Sequence, residues 1–310
     1  MKILITGALG HIGSRFIHDI KAGQFGEVRL VDNLSTQRYC SLFNLPEGVN
    51  FNFYEGDICT ADLEKYFDGI DAVVHLAAIT DAATSHEKKD LVFKVNYAGT
   101  EKVANACIKK GCKLFLPSTT SVYGTQSEIV DENCSEEELK PQSPYAESKI
   151  KAEKLLIELG QTENLKFTIC RLGTIFGTSI GMRFHTAVNK FCWQACLGQP
   201  ITVWKTAMDQ KRPYLDLSDA VRAIFYIIKN DIFTNEIYNV VTVNSTVREI
   251  TDEIKKSVPD IKINFVDSKI MNQLSYTVSH EKFRKTGFKF SGNLEKGIKN
   301  TIKILKGIRI

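Results

Sequence analysis

Tyr145 and Lys149, in the run Ser143-Pro-Tyr-Ala-Glu-Ser-Lys149, stand four residues apart. On a helix that spacing brings two side chains to one face. A phenol whose ordinary pKa is ~10 would be drawn toward its ionised form by a neighbouring ammonium. It could then take a proton from an alcohol as a general base, the companion step to hydride transfer. Ten tyrosines occur in the chain, and only Tyr145 is followed by lysine at this distance. Pro144 suits the first turn of a helix. Alone, the pair reads more simply as a solvated tyrosine beside a surface lysine; the motifs around it favour the chemical reading.

Gly7, Gly10 and Gly13 follow the short apolar run Lys2–Thr6 at once, and an amphipathic helical pattern through Phe16, Ile17 and Ile20 comes next. Strand, glycine-rich turn and helix together predict dinucleotide binding. Gly7 permits the turn, Gly10 lets backbone approach a pyrophosphate, and Gly13 packs helix on sheet. The amides of the helix start, His11 and Ile12 among them, would hold the phosphates. A plain tight turn is the simpler alternative. The next apolar run, Val28–Val31, ends in Asp32, placed to accept hydrogen bonds from an adenosine ribose, with Asn33 beside it. A ribose 2′-phosphate would meet a like charge there, so NAD is favoured over NADP, although Arg38 tempers the preference. Asp57 and Ile58 could flank the adenine, and a turn aspartate is an equal reading of Asp57.

These residues need a frame. Strand-like runs alternate with helical patterns from residue 1 to about 177, closed by Phe167–Leu172 after a charged helix over about 143–159. Such alternation predicts an α/β fold: a Rossmann-type doubly wound parallel sheet, with ligands gathered beyond the carboxyl ends of its strands. Gly7, Asp32, His75 and Thr119 all fall at such ends. His75 itself closes a buried strand and is not read as a base. Beyond 177 the rhythm changes. A helix over about 182–197, a strand at 201–204, a helix at 217–229, a strand at 237–241 and two later helices predict a smaller C-terminal α/β substrate lobe. The expected division is 1–177 with a return segment of about 213–242 for the cofactor, and 178–212 with 243–310 for the substrate.

Composition is ordinary for a globular chain, 43% hydrophobic and 25% charged with a net charge of +4. Lys and Arg are scattered, which argues against a nucleic-acid surface, and no apolar run is long enough to be a targeting or membrane-spanning segment. Eight cysteines show no CxxC pair. Cys107 with Cys112 and Cys192 with Cys196 lack a nearby histidine and read as helix packing, so no metal is expected. Free thiols point to the cytoplasm.

Thr6–Gly13, Val31–Ser35, His75–Ala78, Val95–Thr100, Ser118–Gly124, Tyr145–Lys149 and Arg212–Asp219, in this order, give the chain a family likeness. It resembles an extended short-chain dehydrogenase/reductase of the nucleotide-sugar epimerase and dehydratase branch, nearly end to end. The resemblance implies NAD as cofactor, a nucleotide-diphosphate sugar as substrate, and a homodimer formed through two helices per subunit. It implies Tyr145 as catalytic base, Lys149 on the nicotinamide ribose, and Thr119 on the reacting sugar oxygen with Ser118 as second candidate. Asn96 matches a position that organises the active site, although a turn-capping asparagine is an equal reading. Leu76, Ala77 and Ala78 would wall the cofactor cleft, with Thr80 following toward the sugar. Arg212 resembles the arginine that grips the substrate diphosphate, a role suited to a forked guanidinium.

Departures from the pattern bear on substrate and reaction. Thr174 stands where many relatives carry asparagine, and no arginine occupies the second phosphate-clamping position near 273–276; Arg183 could supply that charge or be a surface residue at a helix start. Sugar 4,6-dehydratases of this family usually place an acidic residue after the catalytic threonine, where this chain has Thr120 and Ser121. Neither hydroxyl can protonate a leaving group near neutral pH. Water loss is therefore disfavoured, and epimerisation at C4 through a keto intermediate is expected. The alternative is a C4 dehydrogenase or reductase with net redox, and a remoter one is a non-catalytic NAD-sensing regulator.

Overall fold

A computed structural model of the chain describes residues 1–82, 84–124, 129–267, 275–305 and 307. Its main sheet has seven strands, all pairs parallel, in the spatial order Glu236–Val240, Phe167–Leu172, Lys113–Thr119, Ala72–His75, Lys2–Thr6, Glu27–Asp32, Phe51–Glu55. The chain starts in the interior at Lys2–Thr6, builds outward to Phe51–Glu55, then returns to pair Ala72–His75 on the other side of the first strand. That reversal opens a crevice at the carboxyl ends of Lys2–Thr6 and Ala72–His75. The doubly wound sheet expected from the alternating pattern is thus present.

The strands are continuous apolar runs because both faces are covered. On one face Ile3, Ile5, Phe16, Ile17, Val28, Leu30 and Ile224 are buried together; on the other, Leu4, Val73, Val103, Leu114, Leu156 and Ile169. Helices His11–His18 and Leu217–Lys229 contact one another on the first face, and Gly99–Lys110 packs with Pro144–Thr162 on the second.

A second set of elements stands over the crevice. Strands Thr174–Phe176, Arg212–Asp216 and Val243–Ser245 form a three-stranded sheet; Ile201–Trp204 pairs with Ile263–Val266, and Ile129–Val130 with Thr277–Val278. Helices Ala187–Cys196, Val247–Lys255 and Leu294–Leu305 bury Val188, Phe191, Ile250, Ile254, Ile298 and Ile302 against Phe176, Ile201 and Val203. Among the described residues no helix is long and apolar enough to cross a membrane.

Two elements differ from the sequence pattern by more than a few residues at their ends. The helix expected to start near Met182 starts at Ala187, after Thr186. Tertiary packing overrides the pattern: a Cβ at Gly181 would lie 2.3 Å from the Leu9 carbonyl oxygen, so this stretch is pressed flat on the glycine turn. The helix through Phe93 and Val103 is one rod with a wide π turn at Lys94–Ala98, between Lys89–Phe93 and Gly99–Lys110. Such a turn inserts a residue into the helix ladder, and here it carries Asn96.

Candidate active site

Ser143 caps the helix Pro144–Thr162 by accepting from the Ala146 amide at 3.3 Å, a contact typically worth ~1 kcal/mol, and Pro144 takes the first turn. Tyr145 therefore sits at the very start of that helix and Lys149 one turn in. Thr119 ends the strand Lys113–Thr119, where its hydroxyl oxygen accepts from the Ser121 amide at 3.1 Å. The phenol of Tyr145 and the hydroxyl of Thr119 face the same cleft, and the Thr119 hydroxyl favours the ionised phenol. Phenol, ammonium and threonine hydroxyl thus line one cleft of about 930 Å³, at the upper end of the range for small-molecule sites.

The electrostatics differ from the simple tyrosine–lysine picture. Tyr145 keeps part of its surface open to the cleft, yet crowding by protein pushes its phenol up to about 12. The Thr119 hydroxyl and the charge of Arg183 oppose that rise. Lys149 does not drive the phenol downward here, contrary to the expectation from spacing. Its ammonium donates to the Pro117 carbonyl at 3.0 Å, and burial lowers it to about 8 against the pull of the Glu153 carboxylate. A helix face brings the two residues together, but the lysine head group follows the nearest carbonyl.

His75 is closed off. The Thr100 hydroxyl donates to the Asn96 carbonyl at 2.7 Å, so it accepts from His75 Nε2 at 3.1 Å, leaving Nδ1 to accept from the Thr6 hydroxyl at 2.6 Å. Burial, with the charge of Lys149 adding to it, holds the ring down at about 3. A neutral imidazole with both nitrogens bonded is a structural brace.

On the cofactor side, Gly7 has φ +65° and a Cβ there would lie 2.5 Å from the Ala77 amide nitrogen; one at Gly13 would lie 2.5 Å from the Ala8 oxygen. Gly10 is different: apart from the Gly7 oxygen at 3.3 Å, its open side meets only the tip of Arg38. That leaves bare backbone facing the cleft at the start of helix His11–His18, a cradle that fits a dinucleotide pyrophosphate. Asp32 accepts from the Leu9 amide and from the Leu34 amide, each at 3.0 Å, which fixes its carboxylate at the cleft rim. Asn33 donates to Asp57 at 3.1 Å, and Asp57 also accepts from the Cys59 amide at 2.7 Å. Ile12, Ile58, Leu76 and Ala78 complete this wall. His11 Nδ1 bonds Ser179, whose hydroxyl is committed to the His11 carbonyl, so Nε2 is left as a buried acceptor without a partner.

Thr80, Thr174, Arg183 and Arg212 also line the cleft. Arg183 donates to the Thr80 hydroxyl, feels the charges of Asp81 and Tyr145, and keeps a buried Nε without a partner among the described residues. Arg212 lies over the Tyr276 ring at 5.3 Å. Gln273 and Leu274 lie outside the described residues.

Two predicted site residues are placed differently. Asn96 does not line the cleft; it accepts from the Ile79 amide at 2.8 Å and donates to the Ile79 carbonyl at 2.9 Å and to Ser148 at 3.1 Å. The π turn buries it between the Ile79 loop and the Tyr145 helix, so it supports both. Ser118 reaches the cleft, but its hydroxyl donates away from it to Glu153. Conversely, Asp81, His185 and Tyr276 line the cleft and were not foreseen. His185 was hidden because its segment reads as helix; the run Gly181-Met-Arg-Phe-His185, glycine ahead of two basic residues, was the available signal.

A profile of the NAD dependent epimerase/dehydratase family matches residues 3–240. The trifunctional UDP-glucose 4,6-dehydratase/UDP-4-keto-6-deoxy-D-glucose 3,5-epimerase/UDP-4-keto-L-rhamnose-reductase of Arabidopsis thaliana is 30% identical over 318 residues, covering 97% of this chain and 46% of that protein. The chain thus spans less than half the length of that relative. The UDP-glucuronic acid 4-epimerase of Bacillus cereus, solved with UDP-glucuronic acid and NAD, superposes with a TM-score of 0.87 at 25% identity, over 98% of this chain and 99% of that one. The UDP-glucose 4-epimerase of Thermus thermophilus, solved with NAD, gives 0.82 at 26% identity, over 99% of both chains.

Proposed function

Since this chain belongs to the NAD-dependent epimerase/dehydratase family, we propose that it inverts C4 of a nucleotide-diphosphate sugar through a keto intermediate, without loss of water. The observation that carries the choice is the pair of positions after Thr119. Thr120 donates its hydroxyl to the Leu172 carbonyl at 3.3 Å and Ser121 offers only another hydroxyl, so neither supplies an acid for elimination.

NAD, when bound, would supply the hydride acceptor and donor for the sugar carbon. The glycine turn with His11 and Ile12 would hold its pyrophosphate, Asp32 and Asn33 its adenosine ribose, and Lys149 its nicotinamide ribose. Asp57 and Ile58 would flank the adenine. Tyr145 Oη takes the proton of the C4 hydroxyl and gives it back, while Thr119 Oγ1 holds the same sugar oxygen in line. A phenol raised by burial needs positive charge nearby to ionise, and Arg183, whose charge already opposes that rise, is the cation that could supply it. Arg212 would bind the diphosphate, with Arg183 and Thr80 toward the sugar. In this reading residues 1–177 with 213–242 serve the cofactor and 178–212 with 243–310 the substrate. Two copies would pair through the helices that carry Leu91 and Ile157, both exposed.

Incubating the protein with a panel of nucleotide sugars, and following product by NMR and reduced nicotinamide by absorbance, tests the proposal. Inversion at C4 without accumulating reduced cofactor is expected. Net reduced cofactor would make it a dehydrogenase, and a product lighter by one water would overturn the argument from Thr120 and Ser121.

A further inference from the structure

Glu153 lies one turn beyond Lys149 on the same helix and is 2% exposed. Its carboxylate accepts from Arg171 Nη2 at 2.7 Å and from Arg171 Nε at 3.1 Å, and from the Ser118 hydroxyl. Arg171, 3% exposed, stands opposite Ser118 on the neighbouring strand and donates onward to the Tyr123 hydroxyl at 3.0 Å. Tyr123 in turn donates to Asn239 at 2.8 Å, on the strand beyond. A polar seam therefore crosses three adjacent strands directly beneath Thr119. Such buried ion pairs are seldom more stable than well-packed apolar residues of the same size, so stability alone is a poor account of this one.

We infer that Glu153 is a positioning residue for the proposed reaction: clamped by Arg171 and Ser118, its carboxylate fixes the strand end that presents Thr119 and sets a negative charge one helical turn from Lys149. The inference rests on the reading of Lys149 and Tyr145 given above. The other titratable groups near Lys149 are Tyr145, one turn back on its own helix, and His75 from the sheet. Lysine charge is already marginal there, since burial brings the ammonium to about 8. His75 stays neutral. Among the described residues, the Glu153 carboxylate is the negative charge that favours the ammonium.

The test is an NMR titration of the Lys149 side chain in full-length, lysine-labelled protein, free and saturated with NAD, its signal assigned by loss in Lys149→Met. In Glu153→Gln the midpoint is expected to fall by about one pH unit, with the alkaline limb of turnover moving down by the same amount. Glu153→Asp should restore most of the shift. If Glu153→Gln does not fold because Arg171 is left unpaired, the double variant Glu153→Gln with Arg171→Met removes both charges and should shift in the same direction by less. An unmoved midpoint in the folded variant, or equal shifts for Gln and Asp, overturns the inference. A Tyr145→Phe protein that still turns over would instead sink the reading of the base and leave the titration to decide on Glu153.

Discussion

At the scale of single residues, the Tyr145 phenol carries the chemistry and its surroundings set the conditions. Replacing Tyr145 by Phe should lower kcat by about 10²–10⁴-fold and leave NAD affinity within a few-fold, read from turnover beside calorimetric binding; retained turnover would mean another base. The spacing of Tyr145 and Lys149 was legible in sequence, but the direction of their electrostatics was not. Burial decides it, and burial is a property of the packed molecule. His75 makes a separate prediction. Its folded pKa of about 3 lies below the ordinary 6.5, so the unfolded chain binds the proton more readily as pH falls. Its contribution is fully present above about pH 6.5 and is lost on acidification toward 3, amounting to about 2 kcal/mol by pH 5. Urea midpoints at pH 7 and 5 should show His75→Gln less stable at neutrality yet less sensitive to acid. An equal acid loss in both proteins would contradict the neutral-brace assignment.

Secondary-structure elements determine how those residues meet. The glycine turn divides its labour: Gly7 is required by backbone shape and Gly10 by the open space beside it. Gly7→Ala combines a positive φ with a clash on the Ala77 backbone, and should cost more than ~1 kcal/mol of folding stability. Gly10→Ala meets nothing closer than 3.3 Å and should fold nearly as well while binding NAD more weakly. Thermal unfolding together with calorimetry separates the two, and a Gly10→Ala protein with unchanged affinity would remove the pyrophosphate from that position. This motif was readable because local geometry dictates it. The π turn at Asn96 was not, because a periodic apolar stripe continues through it. Nor was the late start at Ala187, which is imposed by Leu9 and Gly10, residues over 170 positions earlier in the chain.

For the whole molecule, the proposed pairing of two copies predicts that sedimentation will give twice 34.9 kDa, and that Ile157→Glu will shift the protein toward the single-chain mass. A parent of single-chain mass at micromolar concentration would refute it. The alternation of strands and helices made the main sheet legible at this scale, whereas the pairing of Ile129–Val130 with Thr277–Val278 joins segments too short and too distant for any pattern to announce. The outermost strand, Glu236–Val240, has a consequence for how the protein is made. It zips onto Phe167–Leu172, so a nascent chain leaving the ribosome must expose that apolar ribbon while some 60 further residues are synthesised. Until then the Phe167–Leu172 strand presents an unpaired edge, the kind of surface on which nascent chains misassociate.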